Sequence, residues 1–133
     1  MRFLPVALAL LALHAFQSTA AQGPSQEYAA CERDLPELAG HWDHTQCTAD
    51  EVERQKALLN IEYKALLRQT DPRDKEALER AQKAWLTFRD AECKAKSDSI
   101  DRAGGNGGWD ASMTCMLRHL LSRRDQLKGY WGL

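Results

Sequence analysis

Residues 48–97 read TADEVERQKALLNIEYKALLRQTDPRDKEALERAQKAWLTFRDAECKAKS, and Thr70-Asp71-Pro72 near the middle decides how the chain folds. Asp71 suits a helix N-cap, and Pro72 suits the first helical position, where its missing N–H leaves no bond unmade. The residues before this point carry Val52, Leu59, Tyr63 and Leu66 at steps of seven, four and three, one face of a helix. The polar side chains between them, Glu51, Glu53, Arg54, Gln55, Lys56 and Lys64, read as its solvated face. That helix is predicted from about Asp43 to Arg68, although Thr48-x-x-Glu51 has capping-box spacing and offers a later start.

After Pro72 a second helix is predicted to about Ser97, with Leu78, Ala81, Trp85 and Phe88 as its apolar stripe. A linker this short turns the two helices back on each other as an antiparallel hairpin. Further on, residues 101–108 (DRAGGNGG) form a Gly-rich loop. Asp110 can cap a third helix to about Lys128, with Met113, Leu117, Leu120 and Leu127 facing in. The aromatic tail, Tyr130 and Trp131 included, is expected to dock on the bundle. On the other side of the hairpin, Asp34–Gly40 is expected to make one helical turn, capped by Asp34 and stopped by Gly40. Residues 21–33 read as a loosely held polar lead-in. No stretch alternates with period two. The fold class is therefore all-α: a small disulfide-stapled antiparallel helical hairpin plus a third helix, one domain over 34–133.

The first twenty residues belong to something else. Arg2, an apolar run from Phe3 to Phe16 and small residues up to Ala20 and Ala21 have the form of a secretory signal peptide, cleaved after Ala20 or Ala21. The run is shorter than the roughly 20 residues a membrane span needs, so no membrane insertion of the mature chain is expected. Tyr28-Ala29-Ala30-Cys31 does not close the apolar region as a lipobox must, and the product reads as periplasmic or secreted and unlipidated. Removing this leader, whose one charged side chain is Arg2, leaves 17 Lys and Arg against 19 Asp and Glu. A net charge of −2 with His neutral offers no basic face for nucleic acid.

Four cysteines, Cys31, Cys47, Cys93 and Cys115, all lie beyond the leader. An even number in a small exported chain reads as two disulfides, and three pairings are possible. The hairpin puts Cys47, Cys93 and Cys115 near one end, which favours Cys47–Cys93 with Cys31–Cys115. A metal reading of His41-x2-His44-x2-Cys47 lacks a Cys-x2-Cys partner and competes with oxidation of the thiol, so no metal and no cofactor are expected.

The order Cys47, eleven residues, Leu59-Asn60-x2-Tyr63, then Gln82-x2-Trp85-x3-Arg89-Asp90-x2-Cys93, the Gly-rich loop and Cys115-x7-Arg123-x3-Leu127 resembles the LprI-like family. That family takes its name from a lysozyme-inhibiting lipoprotein, and the likeness covers about residues 31–128. This chain departs from the pattern at Gly104-Gly105-Asn106-Gly107-Gly108, where Gly-Gly-Ser is usual, and at Leu120, a position where Thr is frequent. Its first two cysteines also stand further apart. The resemblance implies inhibition of a lysozyme-type peptidoglycan hydrolase in the periplasm, or immunity against such a toxin. A structural or scaffolding envelope module with no hydrolase target is the alternative.

The motif residues need no substrate to account for them. Trp85 is expected in the core, Arg89 and Asp90 at carbonyls or carboxylates near helix ends, and Asn60 in a bond across the hairpin. A hydrolase would need two carboxylates converging on a cleft or a nucleophile held by a base. The acidic residues here fall among lysines and arginines, and the Gly104–Gly108 run follows no strand, so it is not a nucleotide loop. The reading is a binding protein, not an enzyme. Gly105, Asn106, Gly107 and Trp109, a Gly-rich tip beside a large aromatic, are the candidate contacts to a protein partner, the alternative being a plain helix connection with Trp109 packed inside.

Overall fold

The computed structural model describes residues 23–130, and both the expected leader and Trp131 lie outside them. Four helices follow in order: α1 (Gln26–Asp34), α2 (His41–Gln69), α3 (Pro72–Arg102) and α4 (Gly108–Gly129). The expected punctuation holds between α2 and α3, where Asp71 Oδ1 accepts the Arg73 N–H at 2.9 Å and Pro72 occupies the first turn. No described helix is long and apolar enough to cross a membrane.

α2 and α3 each pack chiefly on α4, and α1 packs on α2. The core is where these faces meet, formed by Val52, Leu59 and Leu66 of α2, Leu78 of α3, and Leu117, Leu120 and Leu127 of α4. Tyr63, Trp85 and Met113 are half-buried against it. The stripes read from α2 and α4 are therefore the packed ones. On α3 the buried side is instead Leu78, Gln82, Arg89 and Cys93, while Ala81 is exposed and Phe88 is 57% exposed. Polar side chains turn inward on α3 because Arg123 of α4 waits there as a partner.

The start of the chain departs from expectation. The stretch read as a loose lead-in carries α1, capped by Ser25, whose hydroxyl accepts the Tyr28 N–H at 3.1 Å. The turn expected over 34–40 is not helical. Leu35 precedes Pro36, whose ring disfavours helical backbone in its neighbour, and Leu35 is extended at φ −63°, ψ 143°. α2 then starts at His41, with the Asp43 carboxylate accepting the Gly40 N–H at 2.8 Å. Thr48 lies inside the helix, its hydroxyl donating to the His44 carbonyl at 3.2 Å. α4 likewise begins two residues before Asp110, at Gly108.

Glu51 and Gln55 are not on a solvated face. Both are buried, Glu51 completely, in a chain of bonds that ties α1, α2 and α4 together. The Glu51 carboxylate accepts the Ser25 N–H at 2.7 Å, the Ser25 hydroxyl at 2.6 Å, Gln55 Nε2 at 2.7 Å and Arg54 Nε at 2.9 Å. Burial pushes its pKa up, but these bonds together outweigh burial and hold it below the usual glutamate value. Arg124 continues the chain, donating to Gln55 Oε1 and making a two-pronged pair with Glu62 at 2.9 and 2.6 Å.

Candidate functional site

Both disulfides lie towards the end where α2 begins, α3 finishes and α4 starts. They join Cys31 to Cys47 and Cys93 to Cys115, with Cα separations of 5.8 and 5.5 Å. This corrects the expected pairing of Cys47–Cys93 and Cys31–Cys115. That pairing required α2 and α3 to face each other closely, whereas α4 is the helix on which both pack. α1 folds back over α2 and brings Cys31 to Cys47, while α3 and α4 run antiparallel across the Gly-rich loop and bring Cys93 to Cys115. The sulfurs do gather at one end, but each bridge staples helices consecutive in the chain.

At that end the loop is tightly built. Gly104 has φ +80°, a left-handed conformation natural to glycine. Gly108 lies so close to the Asp101 carboxylate that a Cβ would collide with it. The loop is then tied to α2. The rings of Trp42 and Trp109 lie 4.4 Å apart between centroids with planes tilted by 33°, a contact inside the range of favourable aromatic pairs. The buried Thr45 hydroxyl has Asp110 Oδ1 at 3.1 Å and the His41 carbonyl at 2.9 Å as acceptors. His41 Nε2 stands 3.8 Å from Asp110 Oδ2.

The resulting surface exposes large apolar side chains among polar ones. Trp42 is 68% exposed, and Leu38, in the connection into α2, is almost wholly exposed. Of the predicted contacts, Gly105 and Asn106 are exposed, while Gly107 and Trp109 are half-buried. Trp42 and His41 join them, a connection that no spacing signals, because Trp42 and Trp109 are 67 positions apart.

The other motif residues form a separate cluster at mid-bundle. Arg123 Nε donates to Gln82 Oε1 at 2.9 Å, and the guanidinium carbons of Arg89 and Arg123 lie 5.0 and 5.6 Å from the Trp85 ring centre. Arg89 also pairs with Asp90 at 2.6 Å. The Arg123 contacts tie α4 to α3 through a hydrogen bond and a cation–π contact, whereas Arg89 stacks on Trp85 of its own helix instead of reaching a helix end. Burial, then the Glu79 carboxylate, raise the Tyr63 phenol above its ordinary pKa against the lowering effect of Arg123. Asn60, expected to bond across the hairpin, is exposed on the rim of a groove of about 330 Å³ that Leu59, Tyr63, Gln82, Arg89 and Leu120 also line. Leu59 and Leu127 belong to the core.

Residues 31–127 match the model of the family described as "Lysozyme inhibitor LprI". Neither the curated proteins nor the solved structures contain a match to the chain.

Proposed function

We propose, from the premise that this chain belongs to the lysozyme inhibitor LprI family, that it is exported and blocks a lysozyme-type peptidoglycan hydrolase with its disulfide-bonded end. The family carries lysozyme inhibition as a general role, and hence a protein partner and no chemistry of its own. The finer reading rests chiefly on the Trp42–Trp109 pair beside the Gly-rich loop.

Interface energy concentrates in a few large side chains that lose water on contact, aromatic ones above all. Such an anchor works best when it is already ordered, because ordering it on binding costs affinity. Trp42 and Trp109 are held against each other, the loop is held by its glycines and by Asp110, and both bridges stiffen the same end. Gly105, Asn106 and Gly107 have small or short side chains and can enter a sugar-binding cleft where larger ones would jam. Occluding the cleft is sufficient for inhibition, so the reading needs no cofactor. Residues 1–20 act as the leader, and the mature domain works in the periplasm, where its two disulfides persist.

The test is a turbidity assay of cell-wall lysis with a panel of lysozymes and lytic transglycosylases. Slowing of at least one of them by the mature protein at micromolar concentration is the expected result. No slowing across the panel refutes the proposal and favours a scaffolding role.

A further inference from the structure

Asn60, Tyr63, Gln82 and Arg89 have no part in the inhibitor reading, yet all of them line the mid-bundle groove of about 330 Å³. The groove exists because α2 and α3 both pack on α4 and make little contact with each other. Leu59 of α2, Leu86 of α3 and Leu120 of α4 give it apolar walls. Its charged lining residues are Lys56 and Arg89, both cations, and no described carboxylate lines it.

The polar groups around it are poised to donate. Asp90 accepts from Arg89 Nε and Nη2 at 2.8 and 2.6 Å, which leaves Nη1. Arg123 Nε donates to Gln82 Oε1 at 2.9 Å. A guanidinium can only donate, so the Gln82 oxygen faces Arg123 and the amide N–H groups point elsewhere. Gln82 and Arg89 are buried residues. Among the described residues, however, Arg123 Nη2 is the one fully enclosed side-chain nitrogen or oxygen without a partner. The unbonded Gln82 Nε2 and Arg89 Nη1 are therefore not enclosed, and the groove is what their residues line. Tyr63, its phenol pKa raised chiefly by burial, keeps its proton and adds another donor.

Arg123 contributes a charge with no counter-charge. It is buried, and its hydrogen-bond acceptors are the neutral amides of Gln82 and Gln126. A buried cation is poorly screened, so its field reaches the groove behind Gln82. The acids paired with the lining cations, Glu53 on Lys56 and Asp90 on Arg89, are themselves mostly exposed.

We propose that this groove binds a small apolar carboxylic acid in its ionised form. The carboxylate accepts from Arg89, the Gln82 amide and Lys56, while the hydrocarbon body lies on Leu59, Leu86 and Leu120. The proposal is independent of the inhibitor reading. Hydrogen bonds to an ionised acceptor are the strong kind, and a cationic ligand would be repelled. The volume falls at the low end of small-molecule sites, roughly 300–1,000 Å³, which suits a short acyl chain or a single ring.

The experiment titrates octanoate into the whole mature chain at pH 7, followed by calorimetry and by amide NMR shifts. One site should saturate with a Kd at or below about 1 mM, with shifts grouped at residues 56–63 and 82–89. Octanol lacks the charge, acetate lacks the chain and octylammonium reverses the charge. Each should bind at least about tenfold more weakly. Arg89→Gln should weaken octanoate by about tenfold or more, and Lys56→Gln by roughly two- to fivefold. Lys64→Gln, which removes an exposed cation of α2 outside the groove, should leave the affinity unchanged. Leu86→Glu sets a carboxylate on the groove wall at an exposed position and should abolish binding. No saturable binding, octanol binding as tightly as octanoate, shifts confined to other residues, or full affinity in Leu86→Glu overturns the proposal. Far-UV circular dichroism checks each variant. If Arg89→Gln fails to fold, Leu86→Glu and Lys56→Gln decide.

Discussion

Replacing Cys31 and Cys47 together by alanine separates two roles a bridge can play. The Cys31–Cys47 and Cys93–Cys115 links span 16 and 22 residues. If each acted only by restricting the unfolded chain, loop-closure entropy would assign them about 3.1 and 3.4 kcal/mol, nearly equal. The folded state makes them unequal. α1 buries none of its residues, and besides its bridge it is held mainly by the Ser25–Glu51 bonds and the 2.7 Å His44–Glu32 contact. Cut loose, it can leave α2 while the other three helices stay packed. Cys93 and Cys115 are both buried in helices that build the core, so their loss is felt by the whole bundle. Urea unfolding followed by far-UV circular dichroism should therefore show a loss of at least about 3 kcal/mol for Cys93→Ala/Cys115→Ala. For Cys31→Ala/Cys47→Ala the loss should stay below about 2 kcal/mol, the scale of the hydrogen bonds that dock α1. Hydrogen exchange of the second variant should show residues 26–34 exchanging freely while α2 and α4 keep their protection. Equal losses in the two variants, or exchange spreading from α1 through α2, would refute the reasoning.

Leu120 is fully buried where α4 meets its neighbours, so Leu120→Ala should cost about 2–5 kcal/mol, visible as a fall in Tm of roughly 10 °C or more. Glu51 has a folded pKa held below its ordinary value. Its stabilisation is thus present above the unfolded value and disappears as pH falls through the folded one. Glu51→Gln should destabilise at pH 7 by about 1–3 kcal/mol and flatten the stability profile below about pH 4.5, which chemical denaturation across pH 2–7 measures. Gly108→Ala should destabilise by no more than about 1 kcal/mol, because its methyl group meets only the carboxylate of the exposed Asp101, which has to turn aside. Adding Asp101→Ala should recover most of that loss in thermal melts, and an unrelieved double variant would show the contact is not the cause.

What the sequence made legible was local. Asp71-Pro72 marks its own helix start, and the apolar repeats of α2 and α4 point to the faces that are buried. Apart from the local ones at α1 and Pro36, the misreadings share one physical origin, the approach of residues far apart in the chain. Glu51 looks solvated until Ser25, 26 positions earlier, comes to its carboxylate. Gln55 looks the same until Arg124 reaches it. The buried face of α3 was mistaken because Gln82 and Arg89 look like surface residues, and Arg123 and Trp85 give them partners inside. Disulfide pairing depended on α4 being the shared packing surface of α2 and α3, which no spacing encodes. The loop was found from its glycines, but its attachment to Trp42 required the fold.

The central claim is that the end bearing Trp42, Trp109 and the Gly-rich loop is the surface that meets the hydrolase. Hydrogen exchange of this protein, alone and bound to a lysozyme it inhibits, reads that surface directly. Slowed exchange confined to residues 41–46 and 103–111, with α3 between Leu78 and Asp90 unchanged, is the predicted footprint. Protection along the mid-bundle groove at Asn60, Gln82 and Leu86, with the loop unaltered, would contradict it.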